Sequence, residues 1–324
     1  MTDNSPRYAL STMWAQQERF ADMHDFVRAA QSFGFDAIEV SHATPEEPFD
    51  RLLNGSGARL SSIHAPAPLM QVAGRSNSDL NLASLDAAER RAAVEHTKRS
   101  IDHAAAASAR FVVVHLGGIG NAMLAAELKL RRLYDLSTLR PGSGQASLKA
   151  GSGTREGDEV DALRRECVER RAQDAERHLE AAAQSLRELA EHASGRGVAL
   201  GLENRYHYHE IPMLDEALAL LAGYPPDLAG YWHDVGHAEV LSRLGFIDKR
   251  AWLDVLGPRT LGCHLHDVEG IGDHRAPGRG DVDWSYIARG LPASALRVFE
   301  IDQRQSDDAV AAAIPFLRER GVVG

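Results

Sequence analysis

The chain has little cysteine, no long apolar run and no excess of basic residues, and each absence excludes a class of protein. Cys167 and Cys263 are the only cysteines among 324 residues, too few for a disulfide framework and consistent with the cytoplasm, where we expect the protein. No apolar run approaches the roughly 18–20 residues that cross a bilayer, and the first residues, MTDNSPRYALSTMW, lack the basic-then-apolar order of a signal peptide. The net charge of −10 disfavours a nucleic-acid partner, because such proteins neutralise phosphates.

Short apolar runs rich in β-branched residues alternate with longer alanine- and leucine-rich stretches of helical period. The runs predict eight strands, at 7–13, 36–41, 58–64, 110–116, 197–203, 228–235, 260–266 and 296–302. The stretches predict helices at 17–33, 86–108, 161–194, 211–222, 249–256, 284–290 and 306–320. This alternation favours an α/β fold of the (β/α)₈ TIM-barrel type, which typically takes about 250 residues. A doubly wound sheet is the alternative, but no GxGxxG follows the first predicted strand.

The excess length lies between the fourth and fifth predicted strands. Residues 117–160 form an insertion there, with a helical piece at 121–136 and a Gly- and Ser-rich stretch at 141–158 (PGSGQASLKAGSGTREGD). A composition of that kind favours an irregular loop. We expect one TIM-barrel domain over 1–324, with the insertion as an elaborated loop on its active face. A mobile loop that has no functional role is equally compatible with the sequence.

Most of the predicted strands end in side chains that can bind a metal ion. The six residues are His64, His115, Glu203, Asp234, His266 and Glu300. Because the C-terminal strand ends of a barrel meet at one mouth, residues far apart in sequence come together there. A mixture of carboxylates and imidazoles suits a divalent ion such as Mn, Zn, Co or Mg. The sequence therefore predicts a metal centre, and no organic cofactor is expected.

Several runs resemble the xylose-isomerase-like barrel superfamily of sugar isomerases, epimerases and endonuclease IV. They are SIHAPAP, VVVHLGG, LGLENR, HDVGHA, HLHDVEGIGDHRAPGRGDVDW and VFEI, in the family's order across roughly residues 7–320. The resemblance implies that a central metal is held by Glu203, Asp234, His266 and Glu300, with His264 as the other choice in strand seven because it shares a face with His266. It also implies that His237, in the Asp-x-x-His motif, contacts the substrate or a second metal.

The endonuclease IV branch is the second comparison within this superfamily. His64, His115, His237 and His274 sit where that branch places ligands of additional zinc ions, and Asp273 lies next to another such position. The chain reads HLGG where that branch has HPG. The acidic ligand that the branch has in the region of His274 falls one position away from Asp273. Both departures argue against a full cluster of three ions.

Two accounts of function follow, and both are enzymatic. In the first, a metal-dependent isomerase or epimerase acts on a polyol, ketose or related acid through a cis-enediolate, with Glu203 and Glu300 as the acid/base pair. His237 and Arg275 would hold substrate hydroxyls, although Arg275 could instead clamp an anionic group through bidentate hydrogen bonds. Arg205 would hold a hydroxyl or a phosphate of the substrate, or form a salt bridge within its loop. A lyase or dehydratase would share the early steps. The second account is a multinuclear zinc phosphodiesterase. A metal-free sugar-binding barrel is disfavoured because close carboxylates are costly without an ion. By analogy, a homodimer is expected.

Other residues admit two interpretations at this stage. Glu39 either reaches the pocket or forms an ion pair with a lysine or arginine. Trp14 and Trp232 stack on a sugar ring or, more commonly, pack in the core. The sequence RYHYHEIP forms either a metal-binding patch of His207, His209 and Glu210 or, more commonly, a structured loop with its tip exposed.

Overall fold

Eight parallel strands close a barrel in the computed structural model, which describes residues 8–138 and 155–324. Each strand pairs with its neighbours in sequence, and the last pairs with the first. The strands are β1 Tyr8–Ser11, β2 Ala37–Val40, β3 Leu60–Ala65, β4 Phe111–Val114, β5 Ala199–Glu203, β6 Ala229–Asp234, β7 Thr260–Leu265 and β8 Leu296–Phe299. All eight lie within one residue of their predicted segments, and the predicted TIM barrel is confirmed.

Helices follow the strands in the order that the fold requires. Those in the described residues are α1 Met23–Ser32, α2 Glu46–Asn54, α3 Ala87–Ala106, α4 Ala125–Thr138, α5 Arg155–Ala193, α6 Leu214–Leu221, α7 Val235–Arg243, α8 Lys249–Leu256, α9 Trp284–Gly290 and α10 Asp307–Glu319. Two of them, α2 and α7, were not predicted. The predicted helix 17–33 is divided into a 3₁₀ turn and α1, because Asp22 caps the first turn of α1. None of these helices is long and apolar enough to cross a membrane.

The predicted insertion between β4 and β5 carries α4 and the start of the 39-residue helix α5. The helical piece expected at 121–136 is therefore present. Of the predicted Gly- and Ser-rich loop 141–158, residues 155–158 are helical, and 141–154 lie outside the described residues. That residues 117–160 belong to a single domain with the barrel stays a prediction.

Trp232 fills the interior of the barrel below the mouth. It is fully buried in a cluster with inward-facing residues of neighbouring strands, such as Phe111 and Val298. Glycines on both adjacent strands make room for its ring, since a Cβ at Gly201 would lie 2.8 Å from the indole and one at Gly262 would lie 2.5 Å away. Trp232 thus belongs to the core, and it forms the floor of the site described next.

Candidate metal centre and active site

The C-terminal ends of six strands bring carboxylates and imidazoles to the mouth of the barrel. Glu203 and Asp234 are the last residues of β5 and β6, and His115 and Glu300 come soon after β4 and β8. His64 and His264 lie within β3 and β7. Because the pleat of each strand alternates, these side chains point into the barrel while their neighbours pack against the helices.

Four buried side chains form a central group of Glu203, Asp234, His264 and Glu300. His264 Nδ1 lies 2.6 Å from Glu203 Oε1, 3.2 Å from Glu300 Oε2 and 3.5 Å from Asp234 Oδ2. The structure therefore brings His264 to all three carboxylates, whereas the first-named His266 forms a donor group with Asp234, Glu300 and His274. The reason is register, since His264 pairs with Asp234 across the two strands.

Glu39 reaches the same imidazole from the opposite ring nitrogen. Its Oε1 lies 3.0 Å from His264 Nε2, and its Oε2 accepts a hydrogen bond of 2.7 Å from Ser62 Oγ. Metal-binding histidines commonly donate their second ring N–H to a carboxylate, which orients the ring and fixes its tautomer. Glu39 therefore reaches the site, which is one of the two interpretations that the sequence left open for this residue.

His64 and His115 form a second donor group on the β3–β4 side of Glu203. His115 Nε2 lies 2.5 Å from Glu203 Oε2, and His64 Nε2 lies 3.5 Å from the same oxygen. His42, which sequence reasoning missed, packs on both rings, with ring centroids at 4.8 and 5.5 Å. It follows β2, and its position after a strand end was the only signal that the sequence contained.

A third set of donors lies on the opposite side, around the hairpin of residues 267–275. His266 Nε2 lies 3.0 Å from Asp234 Oδ2 and stacks on His274, with ring centroids 4.4 Å apart. Asp273 Oδ1 lies 3.0 Å from His274 Nδ1, and its Oδ2 lies 3.8 Å from His237 Nε2. The predicted additional ligands are thus gathered in two groups that flank the central one.

These donors suit a divalent cation. Zinc bonds of about 2.0–2.2 Å in a tetrahedral site place ligand atoms roughly 3.4 Å apart, which is close to the 3.5 and 3.2 Å between His264 Nδ1 and the Asp234 and Glu300 oxygens. Two buried atoms, Glu300 Oε1 and His64 Nδ1, form no hydrogen bond of good geometry among the described residues and lie 3.4 Å from each other as a long ion pair. A cation bound between them would give each atom a closer partner.

The pKa shifts of the buried carboxylates also favour metal binding. Burial alone would raise the pKa of Glu203, but His115 and the other nearby imidazoles lower it well below its ordinary value. Burial would also raise the pKa of Glu300, and His264 with further imidazole contacts lowers it well below the usual range. Both carboxylates are therefore ionised at neutral pH and available as ligands or bases.

His264 shows the converse effect. Burial would lower its pKa, but Glu300, Glu39 and Glu203 raise it well above its ordinary value. The imidazole therefore holds a proton that partly neutralises the surrounding carboxylates. A metal ion that bound at Nδ1 would displace one proton, as metal ligation by histidine requires.

Asn204 links the central group to His237 and was also missed from the sequence. Its Oδ1 accepts the Asp234 N–H at 2.7 Å, and its carbonyl oxygen lies 2.9 Å from His237 Nδ1. Asp234 in turn caps α7 by accepting the His237 N–H at 2.6 Å. This arrangement leaves His237 Nε2 on the side of Asp273, in the mouth.

The two arginines predicted to bind substrate lie in different surroundings. Arg205 is held at the centre, with Nη1 2.9 Å from Glu203 Oε2 and Nη2 2.9 Å from Glu210 Oε1. Arg275 instead contacts Glu269 at 2.9 Å on the hairpin, and its side chain is 42% exposed. An ion pair as exposed as this one constrains a side chain only weakly, and the substrate-binding role of Arg275 stays a prediction.

The loop after β5 is a structured loop held by the insertion helices. Arg131 of α4 donates to the Tyr206 carbonyl at 2.7 Å, and Glu127 accepts the Tyr208 N–H at 3.1 Å. Arg171 of α5 donates to the carbonyls of Tyr208 and Glu210 at 2.8 and 3.0 Å. The nearby His207 and His209 lie 3.4 and 3.9 Å from the Glu127 carboxylate, so the structured-loop interpretation of this segment is the one that the structure shows.

Solved structures with the same fold include several sugar epimerases. A D-psicose 3-epimerase with D-tagatose from Clostridium cellulolyticum H10 matches at 15% identity, with a TM-score of 0.64, over 97% of this chain and 99% of its own. A D-allulose 3-epimerase from Methylomonas sp. in complex with D-allulose matches at 16% identity, with a TM-score of 0.62, over 97% of this chain and 96% of its own. A 3-keto-D-glucoside 4-epimerase from E. coli matches at 14% identity, with a TM-score of 0.60, over 97% of this chain and 99% of its own.

At these identities the structural likeness shows the fold, and the family is shown by sequence. No curated protein sequence matches the chain. The model of the xylose isomerase-like TIM barrel family matches residues 27–135 and 160–320, which together are most of the chain and include every residue of the central group. The chain therefore belongs to the xylose isomerase-like TIM barrel family.

Proposed function

We propose that the chain is a divalent-metal-dependent sugar epimerase or isomerase that acts on a ketose or a related polyol or acid. The observation that carries this proposal is the central group, in which two buried, ionised glutamates share one imidazole nitrogen with Asp234. The fold that the chain shares with ketose epimerases supports it.

The residues of the site have distinct roles in this proposal. A bound divalent cation would polarise the substrate carbonyl and the adjacent hydroxyl, and so acidify the proton on the carbon between them. Glu203 or Glu300 would take that proton, and the other would return it at the neighbouring carbon or on the opposite face. His237 would hold a substrate hydroxyl. The Glu39–His264 contact would keep the imidazole oriented through the cycle.

The proposal is tested by proton exchange in the presence of candidate ketoses. Protein loaded with Mn²⁺, Co²⁺, Zn²⁺ or Mg²⁺ is incubated in D₂O with D-tagatose, D-allulose or D-fructose, and deuterium at carbon is followed by NMR. We expect exchange that Glu300→Gln abolishes and that the exposed variant Arg177→Met retains. Absence of exchange with every metal and ketose would refute the proposal, and loss of water from the sugar would favour a lyase.

A second candidate, a multinuclear zinc phosphodiesterase, is favoured by one specific observation. Donor groups lie on both sides of the central one, at His64 with His115 and at Asp273 with His274. Metal content per chain separates the two accounts. About one ion, lost in Glu203→Gln and kept in His115→Ala, supports the epimerase. Two or three zinc ions, partly lost in His115→Ala, with cleavage of bis-p-nitrophenyl phosphate, would support the hydrolase.

A further inference from the structure

The loop after β5, residues 204–213, carries side chains that contact the centre of the site. Arg205 lies 2.9 Å from Glu203 Oε2, and the ring of Tyr206 packs on the ring of His237, with centroids 5.8 Å apart. Both residues follow closely after Glu203, the last residue of β5. The direction in which their side chains point therefore depends on the path of the loop backbone.

Side chains of the two insertion helices, α4 and α5, hold that backbone. Arg171 of α5 donates to the carbonyl oxygens of Tyr208 and Glu210 at 2.8 and 3.0 Å. Arg131 of α4 donates to the Tyr206 carbonyl at 2.7 Å. Alternate carbonyl groups of the loop are thus paired with arginines that lie outside it, so the insertion helices fix its path.

Both arginines are buried, and each is paired with a buried carboxylate. The side chains of Arg131 and Arg171 are each 7% exposed, and their partners are Glu127 and Glu216. A buried ion pair adds little net stability, because desolvation offsets the attraction and well-packed apolar side chains often serve as well. The hydrogen bonds to the loop are a contribution that an apolar side chain could not make.

Glu210 connects the loop backbone to Glu203 through Arg205. Its carbonyl is one of the groups that Arg171 holds, and its carboxylate accepts from Arg205 Nη2 at 2.9 Å and from Nε at 3.2 Å. The same guanidinium donates from Nη1 to Glu203 Oε2 at 2.9 Å. This contact leaves Oε1 of Glu203 facing His264 at 2.6 Å, in the central group. The contacts therefore continue from α5 to a proposed metal ligand.

We propose that Arg171 is a positioning residue for the metal centre: it fixes the loop after β5 so that Arg205 holds the Glu203 carboxylate in the orientation that binds the cation. Metal-binding carboxylates are commonly oriented by such outer contacts. The inference rests on the proposed function for the assignment of Glu203 as a metal ligand. It also gives the insertion helices a role, which the sequence left open.

The experiment measures the Mn²⁺ affinity of Arg171→Met by chelator competition, without substrate. Loss of an outer contact typically weakens metal binding by about 10–100-fold, and we expect about tenfold, because Arg171 acts through two intervening residues. Thermal unfolding establishes that the variant is folded at the temperature of the measurement. An affinity equal to that of the wild type would overturn the proposal.

A double variant separates position from stability. When Glu216→Gln is added to Arg171→Met, no carboxylate stays buried without its cation, so part of the lost stability should return. The hydrogen bonds to the loop carbonyls stay absent, so the Mn²⁺ affinity should remain about tenfold below that of the wild type. Recovery of the affinity together with the stability would overturn the proposal. The double variant carries the test by itself if Arg171→Met does not fold.

Leu189→Ala, on the same helix, is the matched control. Leu189 is fully buried and lies about 27 Å along the helix from Arg171. The variant should lower the midpoint of urea unfolding through the cavity that it leaves, and it should keep the wild-type Mn²⁺ affinity. A tenfold loss of affinity in this variant would show that any loss of stability weakens the site, and would overturn the proposal.

Amide hydrogen exchange measures the loop directly, in the metal-free protein. Residues 204–211 should exchange faster in Arg171→Met and in the double variant than in the wild type and Leu189→Ala, because the contacts that hold the backbone have been lost. Equal exchange in the double variant and in the wild type would also overturn the proposal.

The outcome is separable from that of the proposed function. Loss of Mn²⁺ affinity in Arg171→Met, in a protein that exchanges no deuterium into any ketose, would keep Arg171 as a positioning residue and reject the epimerase. Deuterium exchange by a protein whose Mn²⁺ affinity does not depend on Arg171 would keep the epimerase and reject this role.

Discussion

Arg171 gives the sharpest test of how the insertion helices support the site. Its guanidinium, 6% exposed, forms a two-armed ion pair with the buried Glu216 and also donates to the carbonyls of Tyr208 and Glu210. Arg171→Met removes the cation and leaves a buried carboxylate unpaired. Breaking a buried pair in this way costs about 3–5 kcal/mol, because the remaining charge has lost both its partner and its water.

The matched control lies on the same helix. Arg177 is 67% exposed and lies 3.7 Å from Asp174, so Arg177→Met should change the free energy of unfolding by less than about 0.5 kcal/mol. At roughly 2 °C per kcal/mol for a chain of this size, Arg171→Met should lower the midpoint of thermal unfolding by about 6–10 °C.

Pairing the mutation with Glu216→Gln isolates the cause. The double variant should recover part of the loss, because no charge then stays buried without a partner. A fall in stability no larger than that of Arg177→Met would refute the reasoning, and so would a double variant less stable than Arg171→Met alone.

Three further predictions concern other parts of the barrel. Glu39→Gln should weaken metal binding by about 10–100-fold in chelator competition, because the imidazole loses its orienting carboxylate. Gly201→Ala places a Cβ 2.8 Å from Trp232 and should cost about 1–3 kcal/mol in urea unfolding, whereas Gly223→Ala, where a Cβ meets nothing within 4 Å, should not. Burial would raise the pKa of Glu127, but neighbouring imidazoles and an arginine lower it below 4.5. A carboxylate whose folded pKa is lowered contributes stability that is lost as the pH falls below its unfolded value of 4.5, so the deficit of Glu127→Gln in urea unfolding should narrow from pH 5 to pH 3, a range in which an ordinary imidazole keeps its proton.

Much of the fold was predictable because its signals are local. The apolar runs of the strands and the long helical periods lie in continuous sequence, and the barrel follows from their alternation. The helix α7 was missed because no turn residue separates it from β6. Asp234 ends the strand and also caps the helix, with its carboxylate on the His237 N–H.

The site was predictable only as far as strand ends could be counted. His264 and His266 share a face by alternation, and only the pairing of β7 with β6, which places His264 beside Asp234, distinguishes them. Glu39 and Asn204 contribute through partners 225 and 30 residues away along the chain, so no local pattern marks Asn204, and the position of Glu39 at a strand end left two interpretations open. The motif that contains Arg275 predicts a contact with substrate, which stays a prediction, and it does not show the contact that Arg275 makes with Glu269 on the hairpin.

Arg205 bears on the number of metal ions, and so on the choice between the two proposed activities. Its guanidinium lies 2.9 Å from Glu203 Oε2, the same oxygen that His115 Nε2 approaches at 2.5 Å. A cation between His64, His115 and this oxygen would be repelled by a positive charge a few ångströms away, in a buried place where such repulsion is strong. The central group uses the other oxygen, Oε1, which faces His264.

The arrangement therefore disfavours a second ion between His64 and His115, and leaves the central group as the place for the first. We expect about one ion per chain in the wild type, and an increase towards two when Zn²⁺ is supplied to Arg205→Met, because the repulsion is removed while His64 and His115 remain. Mass spectrometry measures the number of ions per chain in the wild type and in Arg205→Met, and Arg177→Met is the control for loss of an arginine elsewhere. A second ion in the wild type that is lost in His115→Ala would show that Arg205 does not exclude a cation beside His64 and His115, and would move the balance towards the multinuclear hydrolase.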